Sequence, residues 1–220
     1  MTEADVLRYN AIPSELLTGA ILEIGARYGE AQLASRHRDR FLQAVQEDRY
    51  VGIDVLRSEC TELPITDIDF FELSAGTQSY DHVLMLEVAE HICLRDWPRL
   101  FTKIRGCLRP GGSAFVTVPF KEQAKRLAEY LPVFRLEPMG GHVVYGITPG
   151  MIRLFLPGAK CHVIRKHYPF KTVDESWFRA LARFGKRVML HEPLAWNWLR
   201  LELNALVVVW SKPKTKVAEK

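Results

Sequence analysis

The sequence predicts an α/β fold built on a parallel sheet. Short apolar runs alternate with helix-patterned segments through the first 120 residues, the signature of βαβ units. The runs are continuously apolar rather than alternating, as expected of strands covered on both faces. With 220 residues, 48% of them hydrophobic and 25% charged, the chain has material for one sizeable core.

The elements follow in order. Ala20-Ile21-Leu22-Glu23-Ile24 is a short apolar run stopped by Gly25 and reads as a buried strand. A helix is expected from about Glu30 to Gln46, then a second strand over Tyr50 to Asp54 and a short third one over Ile68 to Glu72. After the turn-rich Ser74 to Ser79, Asp81 to Leu86 is the fourth strand. Trp97, Leu100, Phe101, Ile104 and Leu108 form one stripe of a helix over Asp96 to Leu108, which Arg109-Pro110-Gly111-Gly112 stops. Ser113 to Val118 is a fifth strand, Lys121 to Tyr130 a polar helix, and Thr148-Pro149 an N-cap with Pro at the first helical position. His162 to His167 and Leu206 to Ser211 supply two late strands.

Composition narrows the function classes. No apolar run reaches the roughly 18 residues of a membrane helix. The first residues, with Glu3, Asp5 and Arg8, lack the apolar stretch of a signal peptide. Cys60, Cys93, Cys107 and Cys161 have no CxxC spacing, so they read as reduced thiols of a cytoplasmic protein. The net charge is +4, concentrated late: residues 160–191 hold eight Lys/Arg against two acids. Such a patch suits an anionic partner or simply a solvated face.

In a parallel sheet ligands bind beyond the carboxyl ends of the strands. The first strand here runs into Glu23-Ile24-Gly25-Ala26-Arg27-Tyr28-Gly29-Glu30. A dinucleotide fingerprint would place glycines at 25, 27 and 30, but Arg27 and Glu30 stand there. A carboxylate at a helix start competes for the place of a pyrophosphate. The P-loop pattern is absent. A ligand with a cationic centre and no phosphate, such as S-adenosylmethionine, fits better. Asp54 ends the second strand 25 residues after Gly29, at the spacing that reaches a ribose hydroxyl. Asp69 is placed to accept from an adenine amino group with Phe70 against the ring, and Asp81 reads as structural.

These residues resemble the class I S-adenosylmethionine-dependent methyltransferases over roughly Ile21 to Phe155. The resemblance rests on Leu22-Glu23-Ile24-Gly25 with Gly29, Val51-Gly52-Ile53-Asp54 and Tyr80-Asp81-His82-Val83-Leu84. It continues in Glu87-Val88-Ala89-Glu90-His91-Ile92, Leu108-Arg109-Pro110-Gly111-Gly112 and Val116-Thr117-Val118-Pro119. Within the family it looks type 11-like and is similar to the ubiquinone-biosynthesis O-methyltransferases. It implies a Rossmann-like, doubly wound, seven-stranded and mostly parallel sheet with the last strand antiparallel. It also implies S-adenosylmethionine held by Glu23, Gly25, Ala26, Arg27, Gly29, Asp54, Val55, Asp69, Phe70 and Leu86. The family's middle glycine is replaced by Arg27.

Methyl transfer is an in-line displacement, and a general base helps where the acceptor is a hydroxyl. Glu87, Glu90 and His91 follow the fourth strand; Glu87 and Glu90 at i, i+3 would share a helix face. His91 and Glu90 are the candidate catalytic pair. The same residues with His142 could instead bind Mg2+ or another divalent cation, as in metal-assisted members of the family, or play a structural role. His37, His162 and His167 read as ordinary.

The expected organisation is one domain over 1–211, with 170–203 a helical insertion rich in aromatic and basic residues, and 212–220 a basic flexible tail. The insertion packs on the core, forms a lid or dimer surface, or meets nucleobases or a membrane surface. The expected activity is methylation of a small-molecule acceptor, most simply at a hydroxyl. The alternatives are an RNA methyltransferase and a decayed partner subunit. A homodimer is compatible with all of these.

Overall fold

The computed structural model describes residues 3–27, 29–56, 60–74, 78–119, 143–144, 147–167 and 202–213. The chain divides into two compact units, Met1–Val163 with Ala205–Lys220, and Ile164–Asn204. The expected helix at 121–130 and the aromatic and basic segment at 170–203 lie outside the described residues, apart from the strand positions 202–203.

Helix α1 (Glu3–Asn10) leads into β1 (Ile21–Ile24), all four of whose residues are buried. Then come α2 (Gly29–Leu33), α3 (Arg38–Gln46), β2 (Tyr50–Asp54), β3 (Ile65–Asp67) and β4 (Tyr80–Leu86). Helix α4 (Trp97–Cys107), β5 (Leu108–Pro119), α5 (Pro149–Phe155), β6 (Lys160–His167) and β7 (Glu202–Ser211) complete the order. One seven-stranded sheet has the order β3-β2-β1-β4-β5-β7-β6. Its pairs from β3 to β5 are parallel, and β7 runs antiparallel to β5. The α/β class and the antiparallel last strand are as the sequence predicts.

Three local departures have physical causes. The helix expected over 30–46 is broken into α2 and α3. There the Ser35 hydroxyl donates to the Gln32 carbonyl at 2.6 Å and accepts from the His37 N–H at 3.1 Å, an alternative to continued helix. The third strand ends at Asp67, before its expected start at Ile68. Beyond it Asp69 Oδ1 accepts from the Phe71 N–H at 2.7 Å, and the Asp69 carbonyl accepts from Glu72 and Leu73, so the chain turns where a strand was expected. Finally, α4 ends at Cys107 and β5 begins at once, with Pro110-Gly111-Gly112 inside its irregular start. Gly111 has φ +84°, and a Cβ on Gly112 would lie 2.8 Å from the Asp81 carbonyl oxygen. Lys212 Nζ donates to the Arg105 and Leu108 carbonyls at 3.0 and 2.7 Å and so closes the helix end.

One large core cluster is built around α4. Trp97, Leu100, Phe101, Ile104 and Cys107 are the buried stripe of α4. Phe101 stacks on Phe155 of α5 at 5.4 Å between ring centroids, and Trp97 meets both rings edge-on at 5.7 Å. The Trp97 indole N–H donates to the Ala89 and Ile92 carbonyls at 3.1 and 3.0 Å. The core thereby fixes the turn that follows β4, where the candidate site lies. The N-cap predicted at Thr148 is present, its hydroxyl accepting from the Met151 N–H at 3.3 Å. Among the described residues no helix is long and apolar enough to cross a membrane.

Candidate active site at the carboxyl edge of the sheet

Strands β2 and β4 lie on opposite sides of β1, so the chain order reverses at β1 and leaves a crevice beyond the strands' carboxyl ends. The glycine loop leaves β1 at this place. Gly25 adopts φ +78°, a conformation that favours glycine, and its N–H donates to the Ile53 carbonyl at 2.9 Å. A Cβ there would lie 2.2 Å from Val88 Cγ2, so glycine is also what lets the loop close against the turn after β4. Ala26, fully buried, donates to the same Ile53 carbonyl at 3.0 Å. Gly29 opens α2, and a Cβ on it would be 2.5 Å from Cys60 Sγ.

Asp54 joins the loop to β2. Its Oδ2 accepts from the Arg27 N–H at 3.2 Å and its Oδ1 from the Leu56 N–H at 2.8 Å. A carboxylate has about four lone-pair sites, so both oxygens retain capacity for further donors. Beside it Val55 and Leu56 are 62% and 50% exposed, an apolar ledge at the strand end. Asp67 is the register partner of Asp54, ends β3 and is exposed, whereas Asp69, expected inside the third strand, lies in the turn after it. Phe70, expected against an adenine ring, is buried in the core, its ring 5.1 Å from Lys103 Nζ. Leu86 ends β4 and is buried.

Glu23 faces inward. Its carboxylate accepts from the Tyr9 hydroxyl at 2.6 Å, from the Tyr50 hydroxyl at 3.0 Å and from Gln32 Nε2. Full burial pushes its pKa up to about 7 even though three donors favour the ionised form. The tyrosine hydroxyls are pushed well above their usual range by burial and by Glu23 itself. The carboxylate expected to touch a cofactor instead binds α1, α2 and β2 together.

The Glu-Glu-His group lies on a turn and not on an α-helix. Glu87 sits at φ +54° just after β4, its N–H donating to the Thr117 carbonyl at 3.0 Å, so it begins no helix. Its Oε2 lies 3.1 Å from Arg8 Nη2, while Arg8 Nη1 is 2.8 Å from Asp5 Oδ1. A 3₁₀ turn at Ala89–His91 then points successive side chains apart: Glu90 is fully buried and His91 exposed. The α-helix expected to carry Glu87 and Glu90 on one face does not form. Among the described residues no three His, Cys, Asp or Glu side chains gather as a metal site, and His142 lies outside those residues. The Glu90 carbonyl accepts from the Val143 and Val144 N–H groups at 2.8 and 3.0 Å, which brings that segment beside the turn.

At the opposite edge, Asp81 accepts from the Ala20 N–H and from Arg109 Nη1, both at 2.7 Å, matching its expected structural role. Burial opposes its charge, but these donors hold its carboxyl below the usual range. A cavity of about 310 Å³ there is lined by Thr18, Gly19, Asp81, His82 and Pro110 to Gly112. His37 is buried between α2 and α3, and His162 is exposed on β6. Sequence reasoning missed Arg8, Tyr9, Asp67 and Val88. Of these only Val88 left a trace, within the Glu87-Val88-Ala89-Glu90-His91-Ile92 motif.

The comparisons agree with this geometry. A family model described as a methyltransferase domain matches residues 5–149, more than half of the chain. The chain belongs to the methyltransferase-domain family. The expected membership of the class I, S-adenosylmethionine-dependent methyltransferases is borne out, and with it S-adenosylmethionine as the cofactor. No curated protein matches the sequence.

Solved structures similar to this methyltransferase include an S-adenosylmethionine-dependent methyltransferase from Archaeoglobus fulgidus. It has 13% identity and a TM-score of 0.55, covering 94% of this chain and 89% of the other. A putative methyltransferase from Bacillus halodurans has 11% identity and a TM-score of 0.55, covering 96% and 98%. Phosphoethanolamine N-methyltransferase 2 of Haemonchus contortus, in complex with S-adenosyl-L-methionine, has 18% identity and a TM-score of 0.52, covering 95% of this chain and 51% of that one. At these identities the likeness is one of fold. Nothing among these comparisons singles out the ubiquinone-biosynthesis O-methyltransferases.

Proposed function

We propose that the carboxyl edge of β1, β2 and β4 holds S-adenosylmethionine and that the chain methylates a small-molecule hydroxyl. The observation that carries the cofactor part is Asp54. Each of its oxygens accepts one backbone N–H, from Arg27 and from Leu56, beside the exposed Val55 and Leu56. That donor set suits a ribose, whose hydroxyls would use the remaining lone pairs, with an adenosine face over the apolar ledge. Gly25, Ala26, Arg27 and Gly29 shape the loop, Asp67 and Asp69 flank the adenine side, and Leu86 floors the crevice.

When bound, the cofactor supplies an electrophilic methyl group on a sulfonium, so the protein has mainly to orient and desolvate. His91, exposed just beyond β4, takes the acceptor's proton. Glu90, the preceding residue, is fully buried, and we assign it a positioning role rather than proton transfer. We assign no step to a metal: among the described residues no three His, Cys, Asp or Glu side chains gather as a metal site.

No disulfide joins the four cysteines, which suits a reducing compartment such as the cytoplasm. RNA methylation would lean on the basic residues of 160–191, and a decayed subunit would lack donor affinity altogether. Asp54→Ala tests the assignment: in a calorimetric titration it should weaken S-adenosylmethionine binding by about 1–3 kcal/mol. Unchanged affinity in folded protein would place the ribose elsewhere.

A further inference from the structure

We propose that Arg8 sets the charge of the methyl-donor site: through its ion pair with Glu87 it tunes how strongly that site prefers the cationic sulfonium donor over the neutral thioether product. This rests on the donor site assigned above. Arg8 belongs to α1 and Glu87 to the end of β4, remote in sequence, yet Nη2 and Oε2 lie 3.1 Å apart. Both side chains are largely withdrawn from water, at 14% and 15% exposure. Desolvating two charges is costly and gives little net stability, so such a pair is weak evidence for a purely structural role.

Its position is what suggests the function. Val88, the residue after Glu87, is the one that packs on Gly25, so the Glu87 backbone borders the glycine loop. The hydrogen bond from its N–H to the Thr117 carbonyl holds Glu87 at φ +54°, a conformation uncommon for a residue other than glycine. Arg8 is held in turn, because the next residue, Tyr9, anchors α1 to Glu23 on β1. Glu87 brings a carboxylate to this place, and the Arg8 guanidinium opposes its charge. A sulfonium beside this group is attracted, whereas the thioether left after transfer has lost that charge. In a partly buried site the attraction is several times larger than in bulk water. Glu87 therefore favours donor binding and product release together, and Arg8 moderates that preference.

The test compares S-adenosylmethionine with S-adenosylhomocysteine by calorimetric titration of the full chain. Arg8→Met should raise the donor-to-product affinity ratio about three- to tenfold. Glu87→Gln should lower it by a similar factor, and the double variant should return it towards wild type. A merely structural pair would change both affinities by the same factor, leaving the ratio unmoved and overturning the proposal. A ratio that moves the same way in both single variants would also overturn it. Should Arg8→Met fail to fold, Glu87→Gln decides alone, and an unchanged ratio refutes the role. If folded wild type binds neither ligand, the donor site itself is wrong and this inference goes with it.

Discussion

The Tyr9 hydroxyl donates to the Glu23 carboxylate at 2.6 Å, joining the first helix to the first strand through a bond buried from solvent. Tyr50 and Gln32 complete the shell of donors. Glu23 immediately precedes Ile24 and Gly25, so this network fixes the root of the glycine loop from beneath it rather than from the ligand side.

The network predicts a pH dependence of stability. The Glu23 pKa is about 7 in the folded protein against 4.5 as the ordinary value. Between these values the folded state holds a proton that the unfolded state has released, so stability falls as pH rises from about 4.5 to 7 and then levels. The tyrosines, raised well above 10, stay protonated throughout. The shift corresponds to about 3 kcal/mol. His37 and His82, whose pKa values burial lowers, work in the opposite direction near the upper end of this window. Denaturant unfolding of wild type against Glu23→Gln cancels their effect. The difference in stability between the two should shift by about 3 kcal/mol against wild type across the window.

Tyr9→Phe removes one donor from a buried carboxylate. It should cost about 1–3 kcal/mol and push the Glu23 pKa higher still. Thermal unfolding at pH 5 and pH 8 checks both parts, since the loss should be larger at pH 8, where the carboxylate is ionised.

Gly25→Ala meets two obstacles, φ +78° and Val88 Cγ2 at 2.2 Å from the added methyl. A loss of about 1–3 kcal/mol is expected from the backbone conformation alone, with the steric clash in addition. The double variant Gly25→Ala/Val88→Ala relieves the clash and should recover part of the stability. No recovery would mean that the backbone conformation dominates.

Much of the frame was legible in the sequence because strands and helix stripes are local patterns. Ile21–Ile24, Tyr50–Asp54 and the Trp97–Cys107 stripe lie where apolar periodicity places them. The errors fell where side chains compete with the backbone, at Ser35 and Asp69, since a short polar side chain that ends an element leaves the hydrophobic pattern unchanged. The candidate site was legible as a loop and an acid, Gly25 and Asp54. Its charge partners were not. Glu23 has an ordinary family-like position but an inward rotamer, and Arg8 reaches Glu87 only once the sheet has formed.

His91→Ala separates chemistry from binding. The side chain is exposed, so stability should change by no more than about 0.5 kcal/mol. Donor affinity should hold, while turnover on a hydroxyl acceptor falls by about 100-fold or more. Equal loss of affinity and turnover would make His91 part of the donor site instead.

The most direct test of the central claim is a calorimetric titration of S-adenosylmethionine into the folded wild-type chain. The account predicts saturable one-to-one binding at about micromolar strength, roughly −8 kcal/mol. No binding to protein whose fold is verified by its thermal transition would contradict it. The methyltransferase fold would then serve some purpose other than methyl transfer.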